Sequence, residues 1–260
     1  MRALVRDASR AGPPGAEIVV GSFEDDASLA RAVDGVETML LAGRDGPDAV
    51  SQHRRVLDHA HRAGVSHIVK LSAIGASPAS PIALMRDHDD VDALVRTSGA
   101  RWTLLKPHLY MQNLLRAADA VRRDGVLSAP MGKGRYPLVD TRDVGAAAAA
   151  VLADPAVHAG ATYLLTGPRA LSYDDVAAAI AAVAGRRVEY EAVGAGVYEE
   201  RLLRAGLPAW RAFDLAHIAA AYSGADNDVS PALEFLLGRT PRSLQEFLAD
   251  HGDAFRFAHS

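Results

Sequence analysis

At 260 residues, the chain is long enough for one large α/β domain with a lobe, or for two small domains. It is 49% hydrophobic and 23% charged, the composition of an ordinary soluble globular protein, and its net charge of −4 without a basic block argues against nucleic acid as the main partner. There is no cysteine, which excludes disulfides, thiolate metal sites and cysteine nucleophiles; the longest apolar run, residues 144–153, is too short to cross a bilayer.

The opening Met1-Arg-Ala-Leu-Val-Arg-Asp7 lacks the apolar region and cleavage site of a signal peptide, so a cytoplasmic location is expected. Arg2 to Arg6 reads as a strand already in progress, and Glu17 to Val20 as a second. Asp25 or Asp26 can cap a short helix over 27–33, ended by Asp34-Gly35. Residues 36–42 form a buried strand, and a long helix then runs to Ala63 and stops at Gly64. Two short apolar runs, 66–72 and 102–107, flank an amphipathic segment over 84–98. This is a βαβ unit of a parallel sheet, and such sheets bind ligands at the carboxyl ends of their strands.

Beyond Asn113, residues 114–123 are helical, and 125–128 and 136–139 are short extended pieces. Asp140 and Asp143 have capping-box spacing ahead of a helix over 144–153. Residues 163–166 form a strand. Ser172 and Asp175 give a second capping box, and 187–193 alternates like a half-exposed strand. The rest is helical over 197–205, 208–222, 231–237 and 244–251, with Pro208 and Pro231 at first helical positions. The pattern predicts an α/β fold. A doubly wound parallel sheet occupies 1–153, and a small, mostly helical lobe occupies 154–260, with part of 108–138 contributing.

Arg6, just after the first strand, stands where a guanidinium can hold the 2′-phosphate of NADP, and Arg10 can assist. No G-x-G-x-x-G follows a strand, so the pyrophosphate has no candidate helix N-terminus. There is no Tyr-x-x-x-Lys pair and no Gly-x-Ser-x-Gly elbow. Ser72, His88, Lys106 and Tyr110 are substitutes by position for a proton donor, although each better fits packing or hydrogen bonding. His53, His59, His61 and His67 lack metal-ligand spacing and read as a solvated helix and strand edge, so no metal is expected.

Taken together, several stretches in order resemble the NmrA-like branch of the atypical short-chain dehydrogenases/reductases. They are Arg2-Ala-Leu-Val-Arg-Asp-Ala-Ser-Arg10, Ile68-Val-Lys-Leu-Ser-Ala-Ile-Gly75, Trp102-Thr-Leu-Leu-Lys-Pro107 running into Tyr110-Met-Gln-Asn113, Val139-Asp-Thr-Arg-Asp-Val144, Leu165-Thr-Gly-Pro-Arg-Ala-Leu-Ser172 and Gly238-Arg-Thr-Pro-Arg-Ser-Leu-Gln-Glu-Phe247. The resemblance spans essentially the whole chain. It implies a Rossmann-type NAD(P)-binding sheet with a C-terminal substrate lobe, and NADP(H) in preference to NAD(H). By position it makes Arg6 the 2′-phosphate contact and Phe23 the neighbour of the adenine. Leu41 and Ala42 line the cofactor, and Ser72 and Ala73 lie near the nicotinamide. Pro107 is counted with the cofactor-binding residues while facing the substrate side, and Lys106, Tyr110, Asn113 and His88 are the substrate-binding residues.

Lys106 departs from the family's usual arginine, and Ser22 from a common aspartate. The largest departure is at the start, where the family's first strand, glycine-rich loop and helix have no counterpart. That strand lies between those ending at Arg6 and starting at Val36, so its loss opens a gap or forces the two to pair. A misassigned start is the favoured explanation, because the remaining cofactor-side residues still form a binding face; a truncated homologue with a cofactor-independent role is the other. The expected activity is NAD(P)H-dependent reduction of a quinone or other conjugated small molecule, and a non-catalytic sensor is the alternative. A small molecule is the expected partner, without nucleic acid or membrane, and a homodimer is left open.

Overall fold

A computed structural model describes residues 1–9, 12, 14–222 and 227–256. The chain divides into two compact units, Met1–Leu105 with Val151–Thr162, and Lys106–Ala150 with Tyr163–Ser260.

The first unit opens with strand β1 (Arg2–Val5), strand β2 (Glu17–Val20) and helix α1 (Asp26–Val33). Asp25 is the N-cap of α1, its carboxylate accepting from the Ala27 and Ser28 N–H groups. Arg2 donates to Glu17 at 3.0 Å and to the Arg31 and Asp34 carbonyls at 3.0 and 2.6 Å. It thereby fastens the start of β1 to the otherwise orphan carbonyls at the end of α1. Then come β3 (Thr38–Leu41), α2 (Ala49–Arg62), β4 (His67–Leu71), α3 (Ala83–Arg96) and β5 (Arg101–Pro107). β3, β4 and β5 pair in parallel, with Thr38 opposite His67 and His67 opposite Arg101. Leu29, Leu41, Val56, Leu57, Ile68 and Leu104 are central to one buried core.

β1 and β2 form a parallel sheet of their own, and among the described residues β1 has no bond to β3. Of the two outcomes open in the sequence, direct pairing of β1 with β3 is not seen among the described residues. All four β1 residues are only partly buried, and Leu40 of β3 is 43% exposed.

The histidines correct the sequence reading. Only His61 is exposed, while His53, His59 and His67 are buried. Each has a specific partner that makes burial affordable: His53 Nδ1 lies 2.7 Å from the Ala49 carbonyl, His59 Nε2 2.9 Å from Asp26, and His67 Nε2 2.9 Å from Thr103 Oγ1.

The second unit contains α4 (Ala118–Asp124), β6 (Val126–Ala129), β7 (Arg135–Tyr136) and α5 (Thr141–Ala153), whose last turn lies in the first unit. It continues with β8 (Thr162–Leu165), β9 (Leu171–Ser172), α6 (Tyr173–Ala184), β10 (Glu189–Ala192), α7 (Ala195–Arg204), α8 (Ala209–Ala221), α9 (Ala232–Leu237) and α10 (Leu244–His251). β8 completes the strand order β3-β4-β5-β8. Its bonds to β5 advance in step, from Leu104 N–H to the Ala161 carbonyl and from His108 N–H to the Leu165 carbonyl, as in a parallel pair. β6 and β10 pair in parallel, and β7 and β9 antiparallel. Met111, Val121, Tyr136, Val176, Ile180 and Phe247 belong to a second core. The chain is thus α/β with a parallel sheet and many helices, as its strand and helix pattern implied.

The Ser172–Asp175 capping box forms as expected, and Ser243 with Glu246 makes another that was not anticipated. Two details differ. Asp140 does accept from the Arg142 N–H, but the Asp143 carboxylate turns to Arg239 and Arg242 instead of closing a box, and the helix starts at Thr141. Pro208 and Pro231 are N-caps, one residue before the first helical position.

Candidate functional site

In the first unit, the candidate residues follow the carboxyl ends of parallel strands. Arg6 comes directly after β1, is exposed, and makes no hydrogen bond or ion pair with the described residues. Its guanidinium therefore remains available to an anion. Arg10 lies outside the described residues.

Phe23, three residues past β2, is half-buried and meets the His53 ring edge-on, with centroids 5.7 Å apart. Leu41 is buried at the end of β3, whereas Ala42 and Gly43 are exposed. A Cβ on Gly43 would stand 2.3 Å from the His53 ring and 3.1 Å from Phe23, so only glycine lets the backbone cross there. His53 Nδ1 faces a carbonyl and must donate, and Nε2 has no hydrogen-bond partner. Burial holds its pKa below the usual value, against the Ala49 carbonyl, so the ring stays neutral. Phe23, Gly43 and His53 thus lie together where the loops after β2 and β3 meet, with the two rings nearly perpendicular.

Ser72 is the first residue after β4 and is buried. Its N–H donates to the Leu105 carbonyl at 2.8 Å, and its Oγ to Asp92 Oδ2 at 2.9 Å. The hydroxyl is therefore spent on α3, while the half-buried Ala73 follows. His88 on α3 stands 3.8 Å from Asp45 of the β3–α2 loop.

In the second unit, Lys106 is half-buried and Pro107 buried at the end of β5. Tyr110 bridges to Val139, and Asn113 N–H donates to the Tyr110 carbonyl at 3.0 Å. The sequence reading missed His108, which is 5% exposed, with its ring 5.2 Å from Tyr222 and 6.4 Å from Tyr136. Burial lowers its pKa to about 4, against an opposing contribution from the Asn227 side chain. Burial likewise pushes Tyr136 up to about 12. Tyr173 lies edge-on to Tyr136 at 5.8 Å. These rings come from segments far apart in the chain, so no local spacing announces them.

The predicted residues thus fall in two sets. Arg6, Phe23, Leu41, Ala42, Ser72, Ala73 and His88 belong to the first unit, and Lys106, Pro107, Tyr110 and Asn113 to the second. The first set supplies an exposed guanidinium at Arg6, an edge-on pair of rings at Phe23 and His53, and an exposed backbone at Ala42 and Gly43. No glycine-rich turn follows a strand to supply amides for a pyrophosphate. No cluster of metal-ligating side chains occurs, and no helix is long and apolar enough to cross a membrane, among the described residues.

A parallel α/β sheet with such residues at its strand ends defines a Rossmann-like protein. The chain belongs to the NmrA-like family, whose profile matches residues 1–248. It is 34% identical to an NAD(P)H azoreductase of Xenophilus azovorans, over 98% of this chain and 90% of that protein. It is 31% identical to quinone oxidoreductase 2 of Escherichia coli, over 94% of this chain and 86% of the relative. The crystal structure of an NADPH-dependent quinone oxidoreductase of Escherichia coli complexed with NADPH superposes with a TM-score of 0.86 at 30% identity, covering 95% of this chain and 89% of the other.

Proposed function

We propose that the chain is an NAD(P)H-dependent oxidoreductase that reduces a quinone or a comparable conjugated molecule, such as an azo compound, with NADP(H) favoured over NAD(H). The observation that carries this reading is the exposed Arg6 at the end of β1, which has no hydrogen-bond or ion-pair partner among the described residues. The names of the related azoreductase and quinone oxidoreductase support the reaction class.

When bound, a reduced nicotinamide supplies the hydride. This chain's residues bind and orient. Arg6 would hold the 2′-phosphate, a group that an NADH ribose does not carry. Phe23 and Gly43, backed by His53, receive the adenine face. Asp92 fixes Ser72, and with it the course of the backbone into Ala73. Lys106, Pro107, Tyr110, Asn113 and His88 are assigned to the substrate side. Residues 1–153 are assigned as the cofactor domain, and 154–260 with part of 108–138 as the substrate lobe. A quinone fits the absence of a Tyr-x-x-x-Lys pair, since water can protonate the reduced oxygens without a dedicated acid.

The test is NADPH oxidation followed with a panel of quinones and azo dyes. Acceleration by at least one acceptor, with NADPH outperforming NADH, is expected. NADPH binding without turnover on any acceptor would overturn the enzymatic reading.

A further inference from the structure

His108 is the first residue after β5, at the carboxyl end of a parallel strand, where such sheets bind their ligands. Its backbone N–H donates to the Leu165 carbonyl at 2.9 Å, which fixes its place against β8. Lys106, Pro107 and Tyr110, assigned to the substrate side, stand beside it in the chain. The side chain is buried, yet neither ring nitrogen has a hydrogen-bond partner among the described residues. The polar groups nearest to it are committed elsewhere. The Tyr136 hydroxyl donates to the Met131 carbonyl. The Asn227 side chain comes close enough to favour the charged ring, but its Nδ2 donates to the Arg135 carbonyl at 2.8 Å and its contact with the ring falls short of a well-formed hydrogen bond. Burial outweighs that contact, so the ring is neutral at physiological pH.

Packing alone does not call for an imidazole here. A phenylalanine would fill the same space between Tyr136 and Tyr222 without burying an unpaired donor and an unpaired lone pair, which is costly. A neutral imidazole is a poor acid, but its one N–H can hold an atom that gains negative charge, and the bond is stronger away from water. Of the two rings against it, Tyr136 is fully buried and Tyr222 only half-buried, so a ligand approaches from the Tyr222 side, at the C-cap of α8. We propose that His108 binds the electron acceptor, its ring N–H donating to the quinone carbonyl oxygen that becomes an oxyanion on reduction. This rests on the quinone-reductase reading. In the step, the C–H bond of the hydride donor breaks and its two electrons end on the quinone as the hydroquinone monoanion. A proton from water completes the hydroquinone, and the His108 proton stays on the ring.

The test compares the full chain with His108→Phe, which keeps a ring and loses the donor, and His108→Gln, which keeps a donor. With a quinone that the wild type reduces, His108→Phe is expected to lower kcat by about tenfold or more, with NADPH affinity unchanged, and His108→Gln to recover part of the loss. A second readout needs neither cofactor nor turnover. A nitrophenol, whose coloured phenolate mimics the hydroquinone monoanion, is titrated by absorbance while bound to the protein. Its ionisation midpoint is expected about one unit lower on the wild type than on His108→Phe. If the wild type reduces no quinone, the reductase reading falls and the nitrophenol shift alone decides whether His108 holds an oxyanion. A His108→Phe kcat within about twofold of a turning-over wild type, a nitrophenol spectrum that the wild type leaves unchanged, or equal midpoints on the two proteins would overturn the proposal.

Discussion

Asp143 Oδ2 accepts the backbone N–H of Arg242 at 2.6 Å, ninety-nine residues away in sequence. The same carboxylate is fully buried and pairs with the guanidinium groups of Arg239 and Arg242. One side chain thus fixes the segment leading into α10 to the first turn of α5. Asp143→Ala leaves two arginines and an amide without this acceptor. A loss of about 2–4 kcal/mol is expected, read as a lower urea midpoint with unchanged slope. Asp143→Asn keeps one acceptor oxygen and should lose less.

Stability should fall as pH drops from the ordinary histidine range. The folded pKa of His108 is about 4, below the ordinary histidine value of 6.5. Below 6.5 the unfolded chain therefore takes up a proton that the folded chain refuses. The contribution is complete above 6.5 and is lost down to about 4, of order 3 kcal/mol in total. His53 and His67 are shifted in the same direction, chiefly by burial. Thr103 Oγ1 donates to the His158 carbonyl, so it must accept from His67 Nε2, leaving Nδ1 bare and the ring neutral. Urea midpoints between pH 7 and 4 should decline less steeply in His108→Phe than in wild type. Equal slopes would contradict the assignment.

Ser72 and Asp92 give a third test. Ser72→Ala removes a hydrogen bond to a fully buried carboxylate and should cost about 1–3 kcal/mol. Its effect on turnover should appear mainly in kcat, since the hydroxyl faces α3 and acts through the backbone position of Ala73. A large change confined to KM would mean that the hydroxyl itself meets a ligand.

Much of this was legible in the sequence. Short apolar runs between glycines marked β4 and β5, and Asp25 and Ser172 marked their helix starts, because strand periodicity and capping are local. The resemblance singled out Arg6 and Phe23, which follow β1 and β2. What escaped was long-range. Nothing near Asp143 shows that Arg242 will replace a capping-box partner. Three histidines read as solvated because their partners, Ala49 apart, lie on other elements. His108 gains its surroundings only when Tyr136 and Tyr222 fold onto it.

The pairing of β1 with β2 alone, among the described residues, should be visible in amide exchange. A two-stranded sheet standing alone is marginal, and β1 is half-exposed along its length. Amides of β1 and β2 should exchange at least tenfold faster than those of β4, which is paired on both edges. Equal protection would show that β1 is braced by more than its pairing with β2.

The most direct test of the function is an NADPH titration of the chain by fluorescence or calorimetry, with NADH as comparator and Arg6→Ala alongside. NADPH should bind in the micromolar range and more tightly than NADH, and Arg6→Ala should weaken NADPH by about tenfold or more while leaving NADH nearly unchanged. Equal affinity for the two dinucleotides, or an Arg6→Ala variant that binds NADPH as wild type does, would contradict the role given to Arg6 and the cofactor preference built on it.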